Sequence, residues 1–338
     1  MSEIYPWLQT QWQEWNRTPR PQGHAYLLSS PKGIGIEQFA TWAAQKALCQ
    51  SPTEHGACQQ CTACHLQKTQ QHPDYYHLAR LEDKKEINVE QVRTLVTKLN
   101  ETSHQGGYKV IWIEGIELLK QSAFNALLKT LEEPAQNTLF LLTTHDIGRL
   151  PETIKSRCQQ INFSPPLLKD AVAWLQQALP EVDLPLIKRA LRVNWGAPLD
   201  AKEWLGAEKF NEDAQWKEGL KQLQTGQKTV SQVVVQWLKW PTPISVFDYF
   251  YLWSVSAVRS VTYAEGFQAS TLTTAQQMQL QNWLVFQQAV QQAKQYWLQN
   301  ANKELVLETL CLEWLEVQQS AKPFQSTFES NLQKGKLA

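Results

Sequence analysis

No apolar run in the 338-residue sequence is long enough to cross a bilayer. The richest stretch, Ile244 to Val261, is interrupted by Ser245, Asp248, Ser254, Ser256 and Arg259, so a membrane-spanning helix is not expected. Charge of one sign is also lacking. Lys and Arg number 32, Asp and Glu number 32, and the formal net charge is zero, which excludes a whole-chain electrostatic grip on nucleic acid or on an anionic membrane. Any such contact has to come from a local patch or from a partner. The opening residues, Met1-Ser2-Glu3-Ile4-Tyr5-Pro6-Trp7, lack the basic start and apolar run of a secretory signal, and the expected location is the cytoplasm. Cysteine is scarce: six in all, at positions 49, 58, 61, 64, 158 and 311. Four of them crowd into one stretch, which in a reducing compartment argues for metal rather than disulfides.

What is present suits a folded chain. Apolar residues at 43% and charged residues at 19% are enough to bury a core and exclude a disordered tail. The length fits two or three domains at roughly 150 residues each. Glutamine fills 41 positions and tryptophan 15, a composition that suits the charge-poor surface of a subunit in an assembly.

The first half alternates in type. His24 to Leu28 is a short apolar run that ends in Ser29-Ser30-Pro31-Lys32-Gly33-Ile34-Gly35, and a helical stretch with Phe39, Trp42, Ala43 and Leu48 follows. Tyr108 to Ile113 and Thr138 to Thr143 are further strand candidates. Between them a helix is expected from about Ser122 to Glu133, stopped by Pro134. Strands alternating with helices predict an α/β fold with a parallel sheet covered on both faces. After Phe163 the pattern changes. Pro165-Pro166 marks a linker. Leu168, Val172, Leu175 and Leu179 form one helix face, and two shorter helical stretches run to about Leu205. Beyond that only helical patterns persist, at Val230 to Leu238, Thr274 to Gln299 and Lys303 to Gln319. The expected division is 1–165, 166–207 and 208–338.

The strongest chemical signal is Cys49-x8-Cys58-x2-Cys61-x2-Cys64. Zinc takes four soft ligands in a tetrahedron, and a Cys-x2-Cys pair brings two sulfurs to one ion from a tight turn. Four coordinated thiolates close the site, so the zinc is expected to be structural. Unligated thiols are the alternative, and His55, His65 or His72 could replace one cysteine.

The second signal is a spoiled one. A phosphate-binding loop reads G-x-x-x-x-G-K-[ST], with Lys on the phosphate charge and a hydroxyl on Mg²⁺. Here the frame ends in Gly33-Ile34-Gly35-Ile36-Glu37, so Ile36 stands in place of Lys and Glu37 in place of Ser or Thr. A unit charge pair about 4 Å apart is worth roughly 4 kcal/mol at an effective dielectric near 20. That attraction is lost and a carboxylate is added. A relic of a nucleotide site, a working site and an unrelated glycine turn remain as readings. At the end of the strand at Val110 to Ile113, a hydrolase would carry Asp-Glu for Mg²⁺; this chain has Glu114-Gly115, and Glu114 reads as a lone metal ligand or a solvated carboxylate. The third signal is Ser156-Arg157-Cys158. An Arg at a helix end can offer its guanidinium fork to a neighbouring subunit's γ-phosphate, or it can be an ordinary surface residue.

From Gly23 to Phe163 these residues resemble the AAA+ module of bacterial clamp-loader subunits. The likeness is carried by His24-Ala25-Tyr26-Leu27, the cysteine cluster, His72-Pro73-Asp74, the string Phe124-Asn125-Ala126-Leu127-Leu128-Lys129-Thr130-Leu131-Glu132-Glu133-Pro134, and Ser156-Arg157-Cys158. The resemblance implies an AAA+ module at 1–165 with an inserted zinc loop, a helical lid at 166–207 and an all-helical oligomerisation collar at 208–338. Motor subunits of the family need an intact phosphate loop and an ATP-sensing Arg in the second domain. In Gly196-Ala197-Pro198-Leu199-Asp200-Ala201, Leu199 stands at that place, and in Thr143-Thr144-His145-Asp146, His145 departs from the sensor pattern. The surviving features match a non-motor stator of the DNA polymerase III clamp loader. Such a stator implies no bound ATP and no catalysis of its own, although it is a component of the DNA-directed DNA polymerase (nucleotidyltransferase) holoenzyme. It further implies zinc on Cys49, Cys58, Cys61 and Cys64, and Arg157 acting in trans on a neighbour's ATP. The implied partners are motor (gamma/tau) and delta subunits in a hetero-pentamer, with the sliding clamp and primed DNA met indirectly and no membrane.

Two rival readings differ in class. One is an ATP-hydrolysing motor subunit. The other is a zinc-containing nucleic-acid-binding module, although only Lys68 lies near the cysteine loop to support it. The Trp-rich faces of the third unit are expected to pack on other subunits, with plain core packing the default for any single tryptophan.

Overall fold

A computed structural model describes residues 4–18, 20–81, 84, 86–99, 102–207, 209–262, 273–320 and 322–328. The chain divides into two compact units: Met1–Ile187 with Asn194–Lys202, and Lys188–Val193 with Glu203–Ala338.

In the first unit five strands, β1 (Ala25–Ser29), β2 (Tyr75–Leu78), β3 (Lys109–Ile113), β4 (Thr138–Thr144) and β5 (Gln159–Asn162), pair in parallel in the order β2-β3-β4-β1-β5. Strands β1, β3 and β4 are buried along their whole length because helices cover both faces. Alternate side chains divide between two cores. Ala25, Leu27, Ile111, Ile113, Phe140 and Leu142 meet helices α4 (Val89–Leu99) and α5 (Gln121–Glu132) through Val92, Leu95, Phe124, Leu127 and Leu131. Tyr26, Leu28, Val110, Trp112, Leu139 and Leu141 meet α2 (Ile36–Leu48), whose Phe39, Ala40, Ala43, Ala44 and Ala47 let it lie close. The N-terminal helix α1 (Gln9–Asn16) contributes Trp12 and Trp15 to the edge of this second core. Helix α3 (Thr62–Lys68) follows the cysteine loop, and α6 (Glu152–Lys155) precedes β5.

Helices α7 (Leu168–Ala178), α8 (Leu184–Val193) and α9 (Pro198–Gly206) come next, and the division between the units falls inside α8 and α9. The second unit continues with α10 (Phe210–Gln224), α11 (Val230–Trp237), α12 (Ser245–Thr262), α13 (Thr274–Leu298) and α14 (Lys303–Gln319). This architecture, a parallel α/β sheet followed by helices, is the one the resemblance implies. None of the described helices is long and apolar enough to cross a membrane.

The tryptophans correct one expectation. Trp216, Trp237, Trp283, Trp297 and Trp314 are buried within the second unit itself, where Phe250 packs edge-on to Trp216 and Trp237 and lies 6.2 Å from Trp314. Large flat rings fill the spaces between helices, so these faces serve the chain's own core.

Candidate functional site

The cysteine loop begins where α2 stops. Cys49 is the C-cap residue of α2, Cys61 the N-cap residue of α3, and Cys64 lies in the first turn of α3. Between them Gly56 takes φ +129°, and a Cβ there would stand 3.0 Å from the Trp12 ring, so the loop leans on α1 at a point only glycine fits. The ligand atoms of all four cysteines lie within 4.8 Å of one another, with Cys49 Sγ 3.9 Å from Cys61 Sγ and Cys58 Sγ 3.9 Å from Cys64 Sγ. A tetrahedron with Zn–S bonds of about 2.3 Å has an edge of about 3.8 Å. The four sulfurs can hold one metal ion.

Backbone N–H groups tune this cluster. Those of Gln60 and Cys61 hold the Cys58 thiol down, to about 6. Burial works against Cys61, but the N–H groups of Gln50 and Cys64 prevail and lower it. Burial raises Cys49 and Cys64. The histidines considered as ligands lie outside the cluster. His55 is exposed beside Glu54, and Nδ1 of buried His72 accepts the Asp74 N–H.

The glycine turn follows β1. Gly33 (φ +70°) and Gly35 (φ +92°) adopt the left-handed backbone, and Gly35 caps α2. The geometry of a strand, glycine turn and helix is kept. The chemistry is not. Ile36 is fully buried. Glu37 Oε1 stands 2.8 Å from His145 Nε2, while His145 Nδ1 is 3.0 Å from the Ser30 carbonyl and the His145 N–H donates to Glu117. Burial pushes the Glu37 carboxyl up, but hydrogen bonds from His145 and its own backbone, with the charges of His145 and Lys32, hold it below its ordinary range. Burial likewise opposes the charge on His145, and its bonds to Glu37 and Ser30 prevail and raise it. Two departures that look independent in sequence are thus one ion pair.

Leu199 packs over this turn. Its N–H donates to the Gly33 carbonyl at 3.1 Å. Glu114, just past β3, pairs with the neighbouring strand: its carboxylate stands 2.9 Å from His77 Nε2, and the His77 ring stacks on Trp112.

Arg157 lies just past α6, ahead of β5. Its Nη1 donates to the Thr153 carbonyl at 2.8 Å, and its Nη2 pairs with Glu132 at the end of α5. The string from Phe124 to Pro134 therefore does two jobs: Phe124, Leu127 and Leu131 face the core, and exposed Glu132 holds Arg157.

Sequence comparisons with known proteins point to subunits of DNA polymerase III. A family profile described as "DNA polymerase III, delta subunit" matches residues 8–167. DNA polymerase III subunit delta' of Pseudomonas aeruginosa is 37% identical over 328 residues, covering 93% of this chain and 98% of that one. The chain belongs to the delta' family of DNA polymerase III subunits. The delta' subunit of Escherichia coli is 38% identical over 196 residues, 57% of this chain and 58% of its own length. Subunit gamma of Buchnera aphidicola is 30% identical over 170 residues, 50% of this chain and 46% of that one. Among solved structures, a DNA polymerase III gamma-subunit-related protein of Thermotoga maritima aligns over 92% of this chain and 99% of its own, at 17% identity and a TM-score of 0.45.

Proposed function

We propose that this delta' family member is the non-motor stator of a cytoplasmic DNA polymerase III clamp loader, and that it supports ATP-driven loading of the sliding clamp on primed DNA without binding ATP itself. The observation that carries this reading is the state of the phosphate turn. Its glycine backbone is kept, while Ile36 is packed into the core and Glu37 is committed to His145. Neither residue is left to bind phosphate or Mg²⁺ as the motif requires.

Arg157 is the residue that acts on ATP, and it does so in trans. It precedes β5, whose first residue pairs with Tyr26, whereas the glycine turn follows Ser29. The guanidinium and the chain's own turn therefore lie at opposite ends of the strands. A planar fork offered to a neighbouring motor subunit's γ-phosphate stabilises charge on the transferred phosphoryl group.

Cys49, Cys58, Cys61 and Cys64 hold one Zn²⁺. Bound zinc supplies cross-linking of the loop and no open position for chemistry. The AAA+ module occupies 1–165, the lid 166–207 and the collar 208–338, and the partners are gamma/tau motor subunits and delta in a hetero-pentamer. The test is reconstitution with motor and delta subunits, measuring clamp loading on primed DNA with and without this chain. A complex that assembles and loads clamps equally well without it would refute the stator role.

A further inference from the structure

Phosphates bind a glycine turn by lying directly against its backbone N–H groups and the N-terminus of the helix that follows. In this chain that space is filled. A Cβ built on Gly33 would stand 2.4 Å from Cγ and 2.5 Å from Oδ1 of Asp200, and one built on Gly35 would stand 2.7 Å from the Tyr5 ring and 3.3 Å from Leu199 Cδ1. A carboxylate, a phenol ring and an isobutyl group thus rest on the turn itself. We propose that the chain closes its own phosphate turn, with Tyr5 and Asp200 seated where a nucleotide's phosphates would have to lie.

The cover is anchored at both ends. Tyr5 stacks on Trp7, with ring centroids 5.1 Å apart and planes 4° apart, and Trp174 of α7 meets both rings edge-on at 5.8 and 5.3 Å. The Trp7 indole N–H donates to the Ile34 carbonyl at 2.9 Å, which fastens the N-terminal strap to the turn it covers. Lys202 Nζ lies 5.6 Å from the centre of the Trp174 ring. On the other side the Leu199 N–H is bonded to the Gly33 carbonyl, so Asp200 is delivered by a backbone tied to the turn. The Asp200 carboxylate also sets a negative charge where an incoming phosphate would bring its own.

Nucleotide exclusion is therefore set twice, once by the lost ligands at Ile36 and Glu37 and again by occupation. The inference rests on the reading of the turn as a relic of a phosphate loop, and its experiment separates the two. Four full-length chains are titrated with a fluorescent ATP analogue and Mg²⁺: the unaltered chain, a repaired chain (Ile36→Lys with Glu37→Thr), an opened chain (Tyr5→Ala with Asp200→Ala), and the repaired and opened chain. Only the last is expected to bind, at least tenfold tighter than the repaired chain. Binding by the unaltered chain would overturn the nucleotide-free reading itself. Equal binding by the repaired chain with and without opening, or no binding by a folded repaired and opened chain, would overturn the closure. Hydrogen exchange supplies an independent check that needs no repair. Tyr5→Ala alone should speed exchange of the amides from Gly33 to Ile36 at least tenfold, and unchanged exchange in the folded variant also overturns it.

Discussion

Arg157 and Gly33 stand at opposite ends of one pair of parallel strands. Residue pairs from Tyr26↔Gln159 to Ser29↔Asn162 separate them, a paired segment of about 10 Å along the strands before either flanking turn is counted. An arginine so placed has no use at its own turn. Arg157→Ala should lower DNA- and clamp-stimulated ATPase and the clamp-loading rate of a reconstituted complex while leaving assembly intact. The loss should fall well short of the about 10³–10⁵ that a single finger can supply, because the other ATP sites keep theirs. Arg157→Lys should not rescue, since an ammonium cannot copy the planar fork. Glu132→Ala frees one end of the guanidinium and should cost about two- to fivefold in the same assay, the worth of an exposed ion pair. Wild-type loading by an assembled Arg157→Ala complex would mean that Arg157 is structural.

Purified protein should contain one equivalent of zinc by elemental analysis. Removing the metal, or Cys58→Ser, should lower the melting temperature and open the loop to proteolysis without changing the second unit, since metal binding free energy is also folding free energy. Metal content near zero under reducing conditions, with four titratable thiols in the loop, would count against the site.

The Glu37–His145 pair carries its own pH signature. Glu37 is depressed, so its contribution is present above the ordinary carboxylate range and is lost as pH falls through its lowered folded value. His145 is raised, so its contribution is complete below the ordinary imidazole value of about 6.5 and is lost as pH rises through its folded value above that. The two overlap between about pH 4.5 and 6.5. With the side chains 21% and 35% exposed, solvent screening keeps the effect near about 1 kcal/mol or less. The difference in unfolding free energy between the unaltered chain and His145→Gln should be largest in that window and shrink by pH 8. A difference that is flat with pH would show the pair to be uncharged.

Gly219 tests the tryptophan core of the second unit. A Cβ there would stand 3.0 Å from Val233 Cγ1 and 3.1 Å from the Trp237 ring, both on α11. Gly219→Ala should therefore destabilise that unit by about 1–3 kcal/mol through overpacking, even though alanine is the better helix former. A variant as stable as the parent by urea unfolding would mean that α10 and α11 separate easily.

How much of this could be read from the chain alone depended on burial and on distance. Strands β1, β3 and β4 are sheathed on both faces, so they appear as unbroken apolar runs and were legible within a residue or two of their ends. Strand β5, Gln159-Gln160-Ile161-Asn162, lies at the sheet edge with three of its four side chains exposed, and nothing in its composition marks a strand. Strand β2 is short and half-exposed, and it too gave no signal. The four cysteines announced themselves because their contacts are local. Glu37 and His145 each read as a departure from a motif, but their pairing joins distant segments and no periodicity reports it. The same holds for Tyr5, whose edge-on contact with Trp174 joins segments far apart in sequence. Asp74 of the His72-Pro73-Asp74 string is equally unmarked in sequence: it is fully buried, and its carboxylate accepts from the Ser103 hydroxyl and from the His104 and Gln105 N–H groups.

The Glu37–His145 pair also bears on how such a chain changes over generations. A single step back toward a hydroxyl at position 37 strips the partner from a histidine that is 21% exposed and wedged against Ser30 and Glu117. A step at position 145 alone strands a carboxylate beside the turn. Residues in direct contact do not contribute independently to stability, and either single replacement removes the ion pair. Placing a hydroxyl at position 37 without leaving His145 unpaired therefore takes coordinated replacement of both residues.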